Sequence, residues 1–491
     1  MTKPNLTPTN EADKVELLTL SFRQLGLRAF AVFAARMARA VAVARVLGPE
    51  QFGLFGLSIA AVRGLQRFAQ FGVKQLIIER GSADNRFLQC AWGFSLACGG
   101  VVAALIVACA PLVSALLGSA ATLPLLRWGA LIPILEGAIN PGLYVSERRL
   151  TFGRVAWFEV SAVYISLFAT VALAVVFRSA VALAIGEVIG GALRVVLSIW
   201  LFENPGPPMF SLDATQELLR KGRHFVVVAL AAFVMVEGDN LVVGRLAGPA
   251  ALGYYMVAYT LAAYPLSFLT ETINRSLIPA AAAWLRAEQF NVKVLSLVLR
   301  WEAWLLVPWA VVLVALGEAI VSLLYGAEKW GGAVPVLAAL SLLVLVRGAG
   351  NVLSSFLIAR GAFCFLSKVA SMEAAILLCL VIIGTLTLGA VGAAIAVGVG
   401  HAITLLIRLR YVAGDLGVAQ GELLGGTRVP AAQGLVALAV AGAAGWVVPG
   451  GPLFRLVAGG MVVMGVTIGA MWFFCREDFR FLGGVFRLSG N

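Results

Sequence analysis

Three basic residues recur at helical spacing inside an apolar stretch near residues 53–78. Arg63, Arg67 and Lys74 are separated by four and then seven residues, which places them within roughly 40° of one another on an α-helix. Three cations on one stripe cannot face lipid, because a charge in hydrocarbon is costly and normally faces a cavity or a partner. The spacing therefore predicts a cationic wall that can bind an anion.

A second basic set lies in the apolar stretch before it. Arg28, Arg36 and Arg39 occupy an arc of about 80° by the same helical count, and Arg347 is an intramembrane base of the second half of the chain. Arginine suits phosphate, because its planar guanidinium donates two parallel hydrogen bonds and keeps its proton. These residues are our candidates for a phosphate-binding cavity. The alternative is that some of them pair with acids or extend to lipid headgroups.

Two carboxylates lie two positions apart in a later apolar stretch. Glu237 and Asp239 have no base nearby in the sequence. A buried acid of this kind can carry a coupling proton, and a pair of acids can help to hold Na⁺. The alternative, which we slightly favour, is that they bond to cationic side chains of the first half of the chain.

Other ionisable residues in the apolar stretches are interpreted as structural rather than functional. Glu271 with Arg275, an i,i+4 pair, and Glu187 with Arg194, seven apart on one helix face, are interpreted as internal ion pairs. His401, one of only two histidines, is interpreted as a packed or interfacial residue rather than a proton relay. No spacing of Cys, His or acidic residues predicts a metal site, and no phosphate-binding loop of the GxxxxGK[ST] type is present.

The elements that must position these charges are membrane-spanning helices. The 491 residues are 61% hydrophobic and 13% charged, with a mean hydropathy of +0.95, against roughly 45–50% apolar and 25% charged in soluble domains. Apolar runs of about 20 residues recur along the whole chain. The sequence therefore predicts an all-α polytopic membrane protein and excludes a cytosolic enzyme, a disordered chain and a disulfide scaffold.

Fourteen apolar stretches are long enough to be spans. They lie near residues 20–44, 53–78, 88–116, 122–145, 155–177, 180–202, 223–245, 252–280, 296–324, 333–358, 365–387, 390–411, 430–449 and 453–475. With the N-terminus inside, twenty basic residues, Arg408 among them, fall in cytoplasmic loops and termini and five in external loops. Because short cytoplasmic loops collect Lys and Arg, this asymmetry predicts that both termini are cytoplasmic.

An internal repeat relates the two halves of the chain. RVLGPEQFGLFGLS at residues 45–58 recurs as RLAGPAALGYYMVA at residues 245–258, and EGAIN at residues 136–140 is echoed by RGAGN at residues 347–351. The first motif has the Gly-Pro pattern of a tight turn between two helices. We expect two six-helix bundles related by a pseudo-twofold axis along the membrane normal, with two further C-terminal helices and a cavity between the bundles.

This division predicts six segments. They are a cytoplasmic N-terminal tail (1–19), an N-lobe of spans 1–6 (20–202), a cytoplasmic linker (203–222), a C-lobe of spans 7–12 (223–411), a cytoplasmic loop with spans 13 and 14 (412–475) and a cytoplasmic C-terminal tail (476–491).

Three motifs give the chain a family resemblance. RVLGPEQFGLFGL at residues 45–57, QFGVKQLIIER at residues 70–80 and LLYGAEKWGGAVPVLAALSLL at residues 323–343 resemble the Wzx-type polysaccharide flippases of the multidrug/oligosaccharidyl-lipid/polysaccharide exporter superfamily. The resemblance implies movement of an undecaprenyl-diphosphate-linked oligosaccharide from the cytoplasmic to the periplasmic leaflet of a bacterial inner membrane. It places the diphosphate, and acidic sugars where present, on the arginines above.

The resemblance also implies the pathway and the partners. The glycan would serve exopolysaccharide, O-antigen (lipopolysaccharide) or capsule biosynthesis, and the partners would be membrane lipids and the polymerase and chain-length proteins of that pathway, with no nucleic acid. No cofactor is expected, and coupling to H⁺ or Na⁺ is left open.

Two other functions compete with this one. A multidrug or cation exporter of the same superfamily would need an acidic, aromatic cavity, and the basic stripes argue against it. A membrane polysaccharide polymerase or glycosyltransferase would need a large external loop with a catalytic acid or arginines, whereas every external loop is short. We therefore expect a transporter rather than an enzyme.

Overall fold

All regular secondary structure in the part of the chain that the structure describes is helical. The computed structural model describes residues 31–69, 72–79, 84–149, 152–286, 292–447 and 451–474, and no strand occurs in these ranges. Eight of their helices are long and apolar enough to cross a membrane, or nine if one bent pair counts as a single span. The prediction of an all-α polytopic membrane protein is confirmed, whereas the number fourteen stays a prediction.

The first half of the described chain contains nine helices joined by short connections. They are α1 (31–46), α2 (Pro49–Ala69), α3 (Val73–Glu79), α4 (Asn85–Leu117), α5 (Thr122–Gly129), α6 (Leu131–Gly137), α7 (Gly142–Arg148), α8 (Phe152–Phe177) and α9 (Ala180–Leu201).

The second half contains ten helices and one short 3₁₀ turn, Gly425–Thr427. The helices are α10 (Leu212–Leu246), α11 (Pro249–Arg286), α12 (Val292–Ala315), α13 (Gly317–Tyr325), α14 (Ala327–Trp330), α15 (Ala333–Ala359), α16 (Phe363–Leu416), α17 (Gln420–Leu424), α18 (Arg428–Val447) and α19 (Pro452–Phe474).

The described chain divides into two compact units. The first comprises the residues up to Leu47 together with Leu57–Phe233, and the second comprises Gly48–Gly56 and the residues from Val234 onward. The start of α2 therefore belongs with the second unit. The six predicted segments and the pseudo-twofold axis stay predictions.

The predicted linker 203–222 is only partly a loop. Helix α10 begins at Leu212 and continues without interruption into the seventh predicted span. The residues before it are fastened to α4, since Gln89 Nε2 donates to the Pro205 carbonyl at 2.6 Å and the Met209 amide donates to the Gln89 carbonyl at 3.1 Å. The first part of the linker thus packs on the first unit.

One predicted span is broken in the structure. The sequence predicts a continuous helix over 122–145, but α5 and α6 together are bent by 58° against α7. The break follows from Asn140 and Pro141, because the proline has no amide hydrogen to continue the helix and the Asn140 Oδ1 accepts from the Gly142 amide at 2.9 Å instead. The EGAIN motif ends at this break.

Helix α16 contains two spans that turn back on each other. The backbone is non-helical at Leu388 and Gly389, where Gly389 has φ of +60°, a conformation that glycine adopts without strain. Gly384 before the turn and Gly392 after it lie backbone against backbone. The turn falls between the predicted spans 365–387 and 390–411, so the sequence located it correctly.

The two copies of the repeated motif pack on each other within the second unit. Helices α2 and α11 both begin at the motif proline, Pro49 and Pro249. A Cβ built on Gly53 would lie 2.6 Å from the Pro249 carbonyl carbon, and one built on Gly253 would lie 2.8 Å from that of Pro49. The glycines are therefore required by the close approach of the two helix starts.

The third family motif, at residues 323–343, packs on the starts of α2 and α11. Trp330 of α14 is fully buried, and its ring lies edge-on to Phe52 at 5.8 Å and to Tyr254 at 6.2 Å, measured between ring centroids. One ring comes from each copy of the repeat. The first and third family motifs therefore pack together within the second unit.

Candidate anion-binding cavity

An open cavity of about 590 Å³ lies within the first unit. It is formed by side chains of α1, α2, α6, α8 and α9. Its charged lining residues are five arginines and three glutamates: Arg36, Arg39, Arg63, Arg67, Arg194, Glu136, Glu159 and Glu187. The net formal charge of this lining is +2, so the cavity favours an anion.

Four of the arginines come from α1 and α2. Arg36 and Arg39 lie one turn apart on α1, and Arg63 and Arg67 lie one turn apart on α2, so each pair projects from one helix face. We call these four residues the arginine wall. Within the described residues, Arg36 and Arg67 make no hydrogen bond or ion pair.

The remaining charged lining residues come from α6, α8 and α9. Arg39 Nη1 of the arginine wall lies 3.0 Å from Glu187 Oε1 and donates to Ser166 Oγ at 3.3 Å. Arg194 Nη1 donates to Glu136 Oε1 at 2.8 Å. Both ion pairs are about one-third exposed or less on the carboxylate side. The cavity therefore combines two arginines without an ion pair among the described residues, Arg36 and Arg67, with two neutralised pairs.

These pairs correct one sequence interpretation. Glu187 and Arg194 share a helix face, but each bonds to a residue of another helix rather than to the other. A residue on a neighbouring helix can contact the charged group directly, whereas two residues seven apart on one helix are separated by about 10 Å of rise. The predicted pair of Glu271 and Arg275 falls on side chains outside those that the structure describes.

The structure brings four of the predicted site residues together, since Arg36, Arg39, Arg63 and Arg67 all line the cavity. Lys74 does not line the cavity: its Nζ lies 2.7 Å from Glu147 Oε2 and 5.7 Å from the centre of the Tyr144 ring. Arg347 lies in the second unit and donates to Tyr259 Oη. Arg28 falls outside the described residues.

The predicted acids of α10 have partners in the second unit. Asp239 Oδ2 accepts from Tyr255 Oη at 2.7 Å, and its Oδ1 accepts from the Asn240 amide at 2.8 Å. Glu237 is 5% exposed and accepts from Asn240 Nδ2 at 3.0 Å. Each carboxylate therefore accepts at least one hydrogen bond from a neutral donor of its own unit.

A second polar group in this unit was not predicted from the sequence. Glu373, 2% exposed, accepts from Thr404 Oγ1 at 3.0 Å and lies 2.7 Å from His401 Nδ1 and 2.5 Å from Arg408 Nη2. Arg408 is thus part of a buried cluster and not of a cytoplasmic loop, as the loop count had it. The spacing of His401, Thr404 and Arg408, at three and four residues, is the signal that places them on one helix face.

A small cavity joins this cluster to α10. It has a volume of about 20 Å³, and its polar lining residues are Asp239, Tyr259 and His401. A cavity of this size holds one water molecule. Among the residues that the structure describes, no group of three or more His, Cys, Asp and Glu residues is arranged to hold a metal ion.

The fold matches known membrane transporters. Over 92% of this chain and 99% of the other, it superposes on the lipid II flippase MurJ in its inward closed conformation, with a TM-score of 0.75 at 16% identity. Over 81% of this chain and 98% of the other, it superposes on an inward-facing multidrug resistance MATE family transporter of the MOP superfamily, with a TM-score of 0.62 at 15% identity. The fold of this chain is therefore that of an all-α polytopic membrane protein, similar to these two structures.

The sequence comparisons identify the family. The model of the polysaccharide biosynthesis protein family matches residues 42–335, and the chain belongs to that family. It is 25% identical over 356 residues to the lipopolysaccharide biosynthesis protein WzxC of Escherichia coli K12, covering 71% of each chain. It is 23% identical over 300 residues to the teichuronic acid biosynthesis protein TuaB of Bacillus subtilis 168, covering 59% of this chain and 60% of TuaB. The resemblance found in the sequence motifs is confirmed.

Proposed function

We propose that this protein is a flippase that moves an undecaprenyl-diphosphate-linked oligosaccharide from the cytoplasmic to the periplasmic leaflet of a bacterial inner membrane. The observation that carries the proposal is the cavity with the arginine wall, in a chain of the polysaccharide biosynthesis family. The names of WzxC, TuaB and the lipid II flippase MurJ support a substrate of this class.

The energetic task of such a protein is to carry the charged head group across. Lipid tails can stay in the bilayer, but the diphosphate and sugars would have to leave water, at a cost on the order of tens of kcal/mol for an isolated ion. A hydrated cavity lined by arginines replaces water by fixed donors, and each guanidinium can hold two phosphate oxygens. We propose that alternating access exposes this cavity to one side of the membrane and then to the other.

A reconstituted system tests the proposal. Proteoliposomes that contain undecaprenyl diphosphate carrying N-acetylglucosamine are treated with a membrane-impermeant enzyme that modifies the exposed sugar, and flipping is followed as the loss of protected sugar. Wild-type protein should empty the protected pool, whereas Arg63→Gln combined with Arg67→Gln should not, because both phosphate donors of α2 lose their charge.

Two further variants separate charge from folding in that assay. Arg63→Lys with Arg67→Lys should keep partial activity, because the charge remains while the planar fork is lost. Arg149→Gln should flip at the wild-type rate, since this exposed arginine pairs with Glu203 outside the cavity. Wild-type flipping by the double glutamine variant would refute the role of the arginine wall.

We also propose that transport is coupled to protons through the second unit. Asp239, Tyr259 and His401 share a cavity with room for one water molecule, and His401 contacts Glu373. A water at this point would connect the carboxylate of α10 with the histidine of α16, so that a proton could pass between them. The nearby arginines Arg347 and Arg408 make the site unfavourable for Na⁺.

A pH gradient distinguishes the two ions. Flipping by wild-type proteoliposomes should change with an imposed pH gradient and not with a Na⁺ gradient. Asp239→Asn and His401→Gln should each abolish the response to pH, and Glu422→Gln, which alters an exposed acid of α17, should keep it. A response to the Na⁺ gradient alone would refute proton coupling and favour a sodium site.

For the pathway we propose exopolysaccharide, O-antigen or capsule biosynthesis, with the polymerase and chain-length proteins acting on the lipid-linked product. Transport without chemical change of the substrate is proposed, rather than catalysis. Co-purification of this protein with a polymerase from its own cell membranes would test the partnership.

A further inference from the structure

The charges of the cavity in the first unit are distributed unevenly, and this distribution bears on the sugar. Arg36 and Arg67 make no ion pair among the described residues, whereas Arg39 and Arg194 are each neutralised by a glutamate. A cavity built only for negative charge would not need three glutamates in its lining. The ion-paired groups must therefore suit a different part of the ligand from Arg36 and Arg67.

Paired guanidinium and carboxylate groups offer donors and acceptors without net charge. Glu136 and Glu187 each use one oxygen in the recorded ion pair, and a carboxylate can accept about four hydrogen bonds. A sugar ring presents adjacent hydroxyls that donate and accept, so they can bond to both members of a pair. A carboxylate on the sugar can only accept, so it would have to compete with Glu187 and Glu136 for Arg39 and Arg194, and these acids would repel it.

The volume of the cavity limits how much of the ligand can contact its lining residues. About 590 Å³ lies within the roughly 300–1,000 Å³ of small-ligand pockets. This accommodates a diphosphate and the first sugars, and the rest of a longer oligosaccharide must extend beyond the lining residues. Recognition in the cavity therefore concerns the sugar next to the diphosphate.

We propose that the two ion pairs, Arg39–Glu187 and Arg194–Glu136, form a subsite for an uncharged sugar attached directly to the diphosphate, and that they reject an acidic sugar at that position. The proposal rests on the proposed function and adds the class of the first sugar. Acidic sugars further along the oligosaccharide are unaffected.

Two synthetic lipids test the subsite in proteoliposomes. Both are undecaprenyl diphosphates, one carrying N-acetylglucosamine and the other carrying glucuronic acid. The wild-type protein should flip the neutral lipid at least about tenfold faster than the acidic one. Glu187→Gln should reduce this ratio to within about threefold, because Arg39 is then free to accept the acidic sugar, and Glu136→Gln should act in the same way through Arg194.

The controls separate specificity from folding and from the function itself. Glu203→Gln removes a carboxylate of an exposed ion pair outside the cavity and should leave the ratio unchanged. A purely structural role of Glu187 would lower both rates equally and keep the ratio, which would overturn the proposal, as would equal rates of the two lipids in the wild type. If the wild type flips neither lipid, the proposed function fails rather than the subsite.

Discussion

Glu373 is the residue on which the charge balance of the α16 hairpin depends. It is 2% exposed and binds His401 from one oxygen and Arg408 from the other. Removing one partner of a buried ion pair is costly, because the remaining charge keeps its desolvation penalty without compensation. The cluster therefore fixes the two arms of the hairpin against each other.

Glu373→Gln should destabilise the protein by about 3–5 kcal/mol, since Arg408 is left buried without its countercharge. Thermal unfolding of the detergent-solubilised variant should occur at a lower temperature than that of the wild type. Glu422→Gln, which replaces an exposed acid, should unfold with the wild type. An unchanged unfolding temperature for Glu373→Gln would show that Arg408 finds another partner or reaches water.

The arginine wall shows how far helical spacing can predict a site. Arg36, Arg39, Arg63 and Arg67 were found because neighbours three or four positions apart share a helix face. The acids that neutralise Arg39 and Arg194 are 148 and 58 positions away from them in the chain. Spacing within one helix cannot show which helices pack together, so this neutralised side of the cavity was not predicted.

At the scale of the helix, the repeated Gly-Pro motif is a packing motif, and its packing explains why its residue types are characteristic of the family. Gly53 and Gly253 allow the starts of α2 and α11 to touch, and Trp330 packs on a ring from each copy. These contacts need specific residue types, and none of these residues lines the cavity. The motifs therefore identify the family and say nothing of which glycan is moved.

Gly53→Ala should lower the thermal stability of the detergent-solubilised protein, because its methyl group would overlap the Pro249 carbonyl and overpacking typically costs about 1–3 kcal/mol. Gly48→Ala is the matched control from the same motif, since a Cβ at Gly48 has no heavy atom within 4 Å and its φ is not positive. Equal unfolding temperatures for the two variants would contradict the contact between α2 and α11.

The sequence located helices better than their interruptions. Hydropathy separated the two arms of α16 at the Gly389 turn because the apolar stretch over residues 365–411 is about twice as long as the roughly 20 residues of one span. It missed the 58° break between α6 and α7, because Asn140 and Pro141 interrupt an apolar run for only two residues. Window-averaged hydropathy cannot resolve so short a polar interruption, whereas the backbone responds to the missing proline donor.

For the whole molecule, orientation in the membrane is the prediction with the widest consequences. The twenty-to-five distribution of basic residues puts the 203–222 segment in the cytoplasm and the 325–332 segment outside. Three predicted spans lie between these segments, so they must be on opposite sides if the span map is correct.

Cysteine labelling of spheroplasts decides the orientation. In a variant whose six native cysteines are replaced, Lys329→Cys should react with a membrane-impermeant maleimide from outside, and Pro207→Cys should react only after the membrane is permeabilised. Both positions are exposed in the structure, so access to the reagent depends on the side of the membrane. Ala333→Cys, at a fully buried position four residues beyond Lys329, should stay unlabelled in either case. External labelling at position 207 together with protection at 329 would invert the orientation, and labelling of both from outside would make the number of spans between them even and refute the span map.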